Sequence, residues 1–412
     1  MKAEQAEEIL LASMQELTLH MGMLTGLTVA YGTKDGGSVH HAGLKREVKK
    51  TISGFVPSPE PISESTVYDL ASLTKLFTLV SILQLMQQGL LDESDTIGRI
   101  DSRFIHLKDC TVLDCLSYKA FLKTPERVDK QADAQSAERM VFNISRAPIA
   151  GERLYSDMNA LVLKYIIEAI SGLTFFEYLH KFILLPAGMR ETWAQVPSSR
   201  IKDLMDYNHE HRVVEGVYQV ISDAVPGMPH DPKARLLGRG GMDLAGHAGL
   251  FSTVGDMCRL ASALLSGRLV SSNALRVIGL NRTGYLKESG EYRQFLGLLC
   301  FSKSPVVRFS EVPQWMGERA FALAGYTGNH LAMDPEKGVF DLFLGNRCHN
   351  RVSQVKPEGE AAALGLSPDG EGEVRWPDGR SVKSSFRYIY QKDRMLHAKV
   401  LDCLIARGWL NP

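Results

Sequence analysis

Ser72-Leu73-Thr74-Lys75, followed by the run LFTLVSILQLM over residues 76–86, decides what fold and chemistry this chain can have. Residues three positions apart share one face of an α-helix, so a helix that starts near Ser72 brings its hydroxyl close to the Lys75 amine. This helix, expected to end before Gly89, is apolar on nearly every side and should therefore be buried. Burial disfavours a charged lysine, so we expect a lowered pKa for Lys75 and a neutral amine that accepts the Ser72 proton.

The first turn of the same helix leaves backbone N–H groups that can face an anionic oxygen. A surface S-x-x-K, which any helix can carry by chance, is the alternative interpretation. The buried setting of the motif favours catalysis over that alternative.

A second motif, Tyr155-Ser156-Asp157-Met158-Asn159, opens a helix predicted over Leu154–Ile170. The phenol of Tyr155 can hold or pass the proton that must reach a leaving group. Asp157 or Asn159 can hydrogen-bond Lys75 or a substrate amide. Alternatively, Ser156 and Asp157 cap the helix and Tyr155 is a core aromatic, which this motif taken alone favours.

A third motif, Gly325-Tyr326-Thr327-Gly328-Asn329, follows a strand-like run at Ala320–Ala324. Small residues let a substrate backbone lie close against a strand edge. The N–H of Asn329 can pair with that of Ser72 to form an oxyanion hole. A tight turn between two strands is the alternative.

The two ends of the chain predict a sheet, and the middle predicts helices. Amphipathic helices are expected over residues 3–20 and 393–407, and a hairpin is expected around a turn at residues 34–37. The later strand-like runs are Phe295–Phe301, Ala320–Ala324, His330–Met333 and Val339–Leu344. We expect an α+β fold in which residues 1–70 and 250–412 form an antiparallel sheet flanked by the N- and C-terminal helices. Residues 71–249 would form a mainly helical lobe, with the active site in the cleft between the two.

Two segments predict irregular structure. Residues 56–66, VPSPEPISEST, hold three prolines and predict a loop. Residues 355–383 are rich in glycine, proline and charge and predict a mobile excursion.

The composition limits the classes of partner. Lys+Arg and Asp+Glu both number 47, so no overall field attracts nucleic acid or anionic lipid. Six scattered cysteines predict free, mostly buried thiols in a reducing compartment. The start of the chain shows no basic segment followed by an apolar one, so we expect no secretory signal. No apolar stretch is long enough to cross a bilayer. A cytoplasmic protein is therefore expected. His209 and His211 lack a third ligand at a recognisable spacing, so we predict neither a metal nor a cofactor.

The three motifs in this order resemble those of the serine β-lactamase and D,D-peptidase superfamily, and are most similar to the branch of class C β-lactamases, family VIII carboxylesterases and related penicillin-binding proteins. The resemblance runs from the hairpin near residue 27 to the final helix. It includes Gly246-His247-Ala248-Gly249-Leu250-Phe251-Ser252-Thr253 and Asn346-Arg347-Cys348-His349. It implies a β-lactamase-like fold with an acyl-enzyme on Ser72, activation by Lys75 and a proton relay through Tyr155. Asp157 then matches the polar third position of its motif, and Tyr326-Thr327-Gly328 the place usually filled by Lys-Thr-Gly or His-Thr-Gly.

Two departures from the pattern bear on the substrate. Tyr326 replaces a cation, which weakens the case for a substrate carboxylate of the kind that β-lactams and D-Ala-D-Ala carry. Residues 111–125 read TVLDCLSYKAFLKTP, where many relatives have His-Thr-Ser-Gly. With the absence of a signal sequence, the first departure favours an esterase-like serine hydrolase of a small acyl substrate, ester or amide.

The alternatives are a β-lactamase, a D-alanyl-D-alanine carboxypeptidase or penicillin-binding protein, and a catalytically silent member that binds a ligand in the same cleft. A triad with His247 as the general base is disfavoured because no G-x-S-x-G elbow is present.

Overall fold

A seven-stranded antiparallel sheet drawn from both ends of the chain organises the protein. The computed structural model describes residues 1–52, 54–148, 153–222, 225–238, 243–307 and 310–411. The strands of this sheet, in chain order, are β1 (Gly26–Thr33), β2 (Gly36–Thr51), β3 (Gly54–Pro61), β4 (Phe301–Ser302), β5 (Phe321–Ala324), β6 (His330–Asp334) and β7 (Val339–Gly345). Their spatial order is β4-β5-β6-β7-β1-β2-β3, so β1 and β7 join the two ends of the chain.

Helices cover both faces of this sheet, and the rest cluster in the middle of the chain. The α-helices of the described residues are α1 (Ala3–Gln15), α2 (Thr74–Gln87), α3 (Ile97–Ile100), α4 (Val112–Leu116), α5 (Ala134–Phe142), α6 (Asp157–Ser171), α7 (Phe175–Leu179), α8 (Leu185–Ala187), α9 (Pro232–Leu237), α10 (Val254–Leu265), α11 (Ser272–Ile278) and α12 (Ala398–Ala406). The expected terminal helices are present, although π-helical turns at Glu16–His20 and Asp393–His397 form part of them.

The register of the two central strands shows why the sheet is buried on both sides. Val29 lies opposite Phe343 and Ala30 lies opposite Leu342. Successive side chains of a strand point to opposite faces. Accordingly Val29 and Phe343 pack in the cluster formed with α1 and α12, whereas Ala30 and Leu342 belong to the larger core that contains α2.

Several short sheets hold the segments around the nucleophile. A three-stranded sheet is formed by Val67–Asp69, Phe251–Thr253 and Thr192–Trp193. Its strand Val67–Asp69 ends three residues before Ser72. Val352–Lys356, Glu210–Val214 and Val217–Ile221 form another. Two-stranded pairs form between Leu122–Lys123 and Ser145–Arg146, between Tyr285–Leu286 and Tyr292–Arg293, and between Glu373–Arg375 and Ser381–Lys383.

The prolines of residues 56–66 mislead the sequence prediction, because most of this segment is strand β3 and not a loop. Pro57 lies opposite Val48 and Pro61 opposite Leu44. β3 is the outermost strand of the sheet. Proline is tolerated there because an edge strand has N–H groups that need no partner in the sheet. The predicted strand over Phe295–Phe301 is also shorter than expected, since only Phe301–Ser302 pairs.

Residues 355–383 carry secondary structure that the sequence prediction did not include. A 3-10 helix spans Glu358–Leu364, and Glu373–Arg375 pairs with Ser381–Lys383. Val374, Trp376 and other apolar residues of this segment pack in a cluster with residues of the neighbouring short sheet. The mobility of the segment stays a prediction.

The cysteines and the helices allow two further statements. All six cysteines are free, and five of them are buried. Among the described residues, no single helix is both long and apolar enough to cross a membrane. Asp157–Ser171 and Phe175–Ala187 meet that criterion only as a pair bent by 74°, which is weak evidence because buried core helices do the same.

Candidate active site

Ser72 and Lys75 meet at the start of α2. Ser72 lies in the 3-10 turn Ala71–Leu73 and is partly exposed, whereas Lys75 is fully buried. The Lys75 Nζ donates a hydrogen bond of 2.8 Å to the Ser72 Oγ. The sequence expectation that this amine is shielded from water and touches this hydroxyl agrees with the geometry.

The turn before the nucleophile is held in an unusual backbone conformation. Ala71 has φ +48°, a region that non-glycine residues rarely adopt. Its N–H donates to the buried carboxylate of Asp69 at 2.8 Å, and the same carboxylate accepts the backbone N–H of His230 at 2.6 Å. The carboxylate therefore supports a strained turn that aims Ser72 out of the helix start.

The charge state of Lys75 differs from the sequence expectation. Burial lowers the pKa of Lys75, but its interactions with the Asp157 carboxylate and the Tyr155 phenol outweigh burial and raise it above its ordinary value. Lys75 Nζ also donates to Asp157 Oδ1 at 2.8 Å. This environment therefore favours Lys75 as an ammonium, because an anion close to a lysine opposes the effect of desolvation.

Tyr155 lies against the same amine. Lys75 Nζ is 4.8 Å from the centroid of the Tyr155 ring. The ring stacks with Phe301 at 5.1 Å and with Tyr118 at 5.4 Å between centroids. Gln294 Oε1 accepts the Tyr155 backbone N–H at 3.0 Å, which anchors the segment before α6.

Asp157 connects Lys75 to three further charged or titratable groups, Lys233, Asp231 and His247. Its Oδ2 accepts from Lys233 Nζ at 2.8 Å, and Lys233 also lies 3.4 Å from Asp231 Oδ2. Asp231 Oδ1 in turn lies 3.0 Å from His247 Nε2. Burial raises the pKa of Asp157, but Lys75 and the other positive charges outweigh it and hold that pKa well below the ordinary value.

The segment that contains His247 packs between α2 and α6. The carbonyl of His247 accepts from Lys75 Nζ at 3.4 Å, and that of Gly246 accepts from Thr78 Oγ1 at 2.6 Å. Gly246 has φ +80°, and a Cβ there would lie 2.8 Å from the Ala160 carbonyl oxygen. His247 thus supports the site through its backbone and its bond to Asp231, and the hydrogen-bond partner of Ser72 is Lys75.

The third motif lies directly against the turn that holds the nucleophile. Thr327 Oγ1 and Asn329 Nδ2 both donate to the Asp69 carbonyl, at 3.2 and 2.7 Å. Asn329 Oδ1 accepts the Gly345 N–H at 3.1 Å. Gly328 has φ +116°, which favours glycine at this position. The Asn329 side chain is thus used within the protein, and the oxyanion role of its backbone N–H stays a prediction.

Tyr326 is the one member of this motif with substantial exposure, at 37%. Its hydroxyl donates to the buried carboxylate of Glu210 at 2.6 Å, and its ring stacks on His230 at 5.5 Å. The guanidinium groups of Arg347 and Arg212 lie 5.1 and 5.7 Å from the ring centroid. Arg212 also pairs with Glu210 at 2.6 Å.

Asn159 is placed differently from the sequence expectation. It is buried, and its Nδ2 donates to the Cys115 carbonyl at 2.6 Å. This bond ties α6 to α4. Of the two residues that could hydrogen-bond Lys75, Asp157 forms the bond. The role of Asn159 in substrate binding has no supporting contact.

Tyr118 and Lys233 are the residues near the site that sequence reasoning missed. Tyr118 comes from the segment 111–125, whose departure from the family pattern was the only available signal. It has φ +59°, and among the described residues its buried hydroxyl has no hydrogen-bond partner. Nothing in the spacing of Lys233 and Asp231 relates them to Asp157, because α9 is brought there by tertiary packing alone.

Two groups of side chains are close enough together to resemble metal sites. Ligand atoms of Asp157, Asp231 and His247 lie within 4.8 Å of one another, as do those of Glu210, His230 and Cys348. In the first group Lys233 supplies positive charge to both carboxylates, and in the second Arg212 supplies it to Glu210. His209 and His211 instead pack on aromatic rings, of Phe55 at 4.9 Å and Trp376 at 4.6 Å.

Comparisons with known sequences are consistent with this geometry. A family model described as Beta-lactamase matches residues 24–364. A putative D-alanyl-D-alanine carboxypeptidase of Salmonella typhi is 27% identical over 346 residues, which cover 77% of each chain. A protein of the same description from Salmonella paratyphi B is 26% identical over 344 residues, with 77% of each chain covered.

Solved structures confirm the expected α+β fold. A class C β-lactamase superposes with a TM-score of 0.62 at 16% identity, covering 85% of this chain and 95% of that one. A mutant simvastatin synthase from Aspergillus terreus superposes with a TM-score of 0.60 at 16% identity, covering 83% and 92%. At such low identity the likeness shows the fold alone.

Proposed function

This chain belongs to the β-lactamase family of serine hydrolases, and from that premise we propose that it cleaves a small ester or amide through an acyl-enzyme on Ser72. One observation carries the proposal: the hydrogen bond of 2.8 Å between the buried Lys75 Nζ and the Ser72 Oγ. A serine hydroxyl is a weak nucleophile until an adjacent base removes its proton. Lys75 is that base in the fraction of molecules in which its amine is neutral.

The reaction proceeds in two halves. The Ser72 Oγ attacks the substrate carbonyl carbon, and its proton passes to the neutral amine of Lys75. The bond to the leaving group then breaks as Lys75 returns this proton through Tyr155 to the departing oxygen or nitrogen, which leaves the amine neutral again. Water attacks the acyl carbon and gives one proton to the neutral amine. The bond to Ser72 Oγ then breaks, Oγ takes that proton from Lys75, and the acid is released. The backbone N–H groups of Ser72 and Asn329 hold the oxyanion in both halves.

The surroundings of Tyr326 support a substrate without a carboxylate. Its hydroxyl is bound to Glu210, a buried anion, so the position that holds a cation in many relatives presents an aromatic ring. Arg212 is neutralised by the same Glu210. An apolar acyl group of modest size can pack on the ring of Tyr326, and this supports an esterase-like activity.

A second candidate function, hydrolysis of a carboxylate-bearing amide such as D-Ala-D-Ala, is favoured by Arg347. Its Nη1 donates at 3.4 Å to the Tyr326 carbonyl, and its Nη2 donates to the Ser353 carbonyl. Within the described part of the chain, no carboxylate pairs with this guanidinium. It is therefore a positive charge beside Tyr326 that can bind an anionic substrate group.

The two functions are separated by turnover of three substrates: p-nitrophenyl butyrate, nitrocefin and a peptide ending in D-Ala-D-Ala. We expect the butyrate ester to be hydrolysed with the highest kcat/KM. Rapid nitrocefin or peptide hydrolysis without ester turnover would favour the second candidate. In that case Arg347→Met should lower kcat/KM by raising KM while kcat is preserved. This result would show that Arg347 binds the carboxylate of the substrate.

A further inference from the structure

Lys233 is a partly buried charge next to the candidate site to which neither the motifs nor the comparisons assign a role. It lies in the first turn of α9, the helix that Asp231 caps by accepting the Ala234 N–H at 2.9 Å. Its side chain is 21% exposed. Its Nζ lies between two carboxylates, 2.8 Å from Asp157 Oδ2 and 3.4 Å from Asp231 Oδ2.

The carboxylate of Asp157 is therefore shared by two ammonium groups. Its Oδ1 accepts from Lys75 and its Oδ2 accepts from Lys233, each at 2.8 Å. A carboxylate bound to Lys75 alone would stabilise the protonated amine to the full extent. A second cation on the same carboxylate reduces that stabilisation, because it neutralises part of the carboxylate charge and repels the first ammonium.

We propose that Lys233 is a positioning residue that divides the charge of Asp157 between two lysines and so keeps the amine of Lys75 able to release its proton. The inference rests on the proposed function, because it assumes that neutral Lys75 is the base for Ser72. It adds a residue from α9, an element that carries none of the three sequence motifs.

The surrounding charges hold Lys233 in its cationic form. Burial lowers the pKa of Lys233, but Asp157 and Asp231 outweigh burial and raise it, so it stays charged over the working range of pH. Asp129, in the turn that packs against α9, also lies within electrostatic reach of Lys233. The imidazole of His247 faces Asp157 and Asp231.

The charges around Lys75 itself are fewer. Asp157 and Tyr155 act on it directly and raise its pKa against the effect of burial. Lys233 acts through Asp157, which it also neutralises in part. The acidic limb of the pH profile of kcat/KM therefore reports how these three groups divide their charge, since kcat/KM depends on ionisations of the free enzyme.

The test is to measure the acidic limb of the pH profile of kcat/KM in Lys233→Met, because methionine has a neutral side chain of similar length. Asp157 then interacts with Lys75 without a competing cation, so the pKa of Lys75 rises. The acidic limb moves to higher pH by about one unit, which is the lower end of the shift that a nearby charge produces. At a pH below the limb this is about a tenfold loss of kcat/KM. Lys233→Arg keeps the charge and should restore the limb to near its wild-type position.

Asp231→Asn supplies a test of the opposite sign. Asparagine can still cap α9, but Lys233 then gives its charge to Asp157 alone. The pKa of Lys75 falls, and the limb moves to lower pH. A purely structural role for α9 would lower kcat/KM in both variants, with no rise in Asp231→Asn at any pH, and that result would overturn the inference.

Lys164→Met is the matched control. Lys164 is a buried lysine on α6 that pairs with Asp243 at 2.8 Å and Glu168 at 3.0 Å, seven residues beyond Asp157. Its loss should lower stability without moving the limb. A Lys164→Met limb that moves as far as that of Lys233→Met would show that any buried charge suffices, and the inference would be wrong.

Labelling of Ser72 by a fluorophosphonate separates this inference from the proposed function. If the wild-type protein is not labelled at Ser72, the proposed function fails, whatever Lys233 does. If it is labelled and the pH dependence of labelling is the same in wild type, Lys233→Met and Asp231→Asn, only the inference fails. Should Lys233→Met not fold, the Asp231→Asn limb alone decides: a shift to lower pH supports the inference, and no shift overturns it.

Discussion

Lys75 donates hydrogen bonds to Ser72, Asp157 and the His247 carbonyl, and these contacts occupy all three protons of an ammonium. The amine must lose one of those protons before it can act as a base. Its chemistry is therefore governed by the balance between burial, which favours the neutral form, and the carboxylate, which favours the charged form.

The sequence allowed the effect of burial on the pKa of Lys75 to be predicted, but not the effect of the carboxylate. The apolar run after Lys75 indicated its burial, and a buried lysine alone has a lowered pKa. The carboxylate that reverses the direction lies 82 residues further along the chain. Asp157 was identified as a possible partner of Lys75, but the sign of the net shift depends on a distance that no sequence pattern contains.

Loss of the nucleophile and loss of its base should differ in degree. Ser72→Ala should abolish hydrolysis of p-nitrophenyl butyrate, whereas Lys75→Met should lower kcat/KM by about 10²–10⁴-fold, as expected for loss of a general base. Ser81→Ala is the control, because Ser81 lies on the same helix and its hydroxyl bonds the Phe77 carbonyl. Activity in Ser72→Ala equal to that of Ser81→Ala would rule out the proposed nucleophile.

The pH profile has a sign that follows from the Lys75 environment. Because the pKa of Lys75 is raised, its neutral fraction is small at neutral pH, and kcat/KM should rise with pH into the alkaline range. Asp157→Asn removes the anion that raises this pKa, so the rise should occur at lower pH. Measurement of kcat/KM from about pH 6 to about pH 11 checks both statements, because the wild type should still be rising at the top of that range and Asp157→Asn should level off within it. An unmoved profile in Asp157→Asn would show that another group is titrating.

At the scale of elements, periodicity predicted what local patterns determine. The hairpin at the chain start and the strands Phe321–Ala324, His330–Asp334 and Val339–Gly345 all occur near their expected positions. Strand β3 was missed because its prolines suggest a loop, and only its place at the sheet edge makes them acceptable. The edge position is a property of the whole sheet and leaves no trace in residues 56–66.

The cap of α10 gives an element-scale prediction. Thr253 Oγ1 accepts the Asp256 N–H at 3.4 Å. Thr253→Ala should lower the free energy of unfolding by about 1 kcal/mol, as is typical for loss of an N-cap, whereas Thr253→Ser should lose much less. Chemical denaturation of the three proteins measures this, and equal losses in both variants would mean that the buried methyl group matters and the cap does not.

At the scale of the whole molecule, the sheet from the two chain ends and the helical middle meet at Ser72. The nucleophile turn is supported from one side by Asp69 and from the other by the third motif, which bonds the Asp69 carbonyl. Three segments distant in sequence therefore converge on one turn. The resemblance to a known family predicted this convergence, and residues 72–75 alone did not.

An ion pair with a buried guanidinium joins strand β2 to the segment after β7. Arg351 is 2% exposed and forms two hydrogen bonds of 2.7 Å to the Glu47 carboxylate on β2. Glu47→Ala should lower the free energy of unfolding by about 3 kcal/mol, because it leaves a buried guanidinium without its anion.

The exposed pair Lys287–Glu291, 2.7 Å apart, is the control for that experiment. Lys287→Ala should cost far less than Glu47→Ala, because solvent screens the attraction between two exposed charges. Equal losses in Glu47→Ala and Lys287→Ala, measured by urea denaturation, would contradict the role given to the buried pair.

Mass spectrometry of the intact protein after reaction with a fluorophosphonate, followed by peptide mapping, tests the central claim most directly. The account predicts one adduct, on the Ser72 hydroxyl of the wild-type chain, and none in Ser72→Ala. An adduct on a different residue, or the same mass gain in Ser72→Ala, would contradict it.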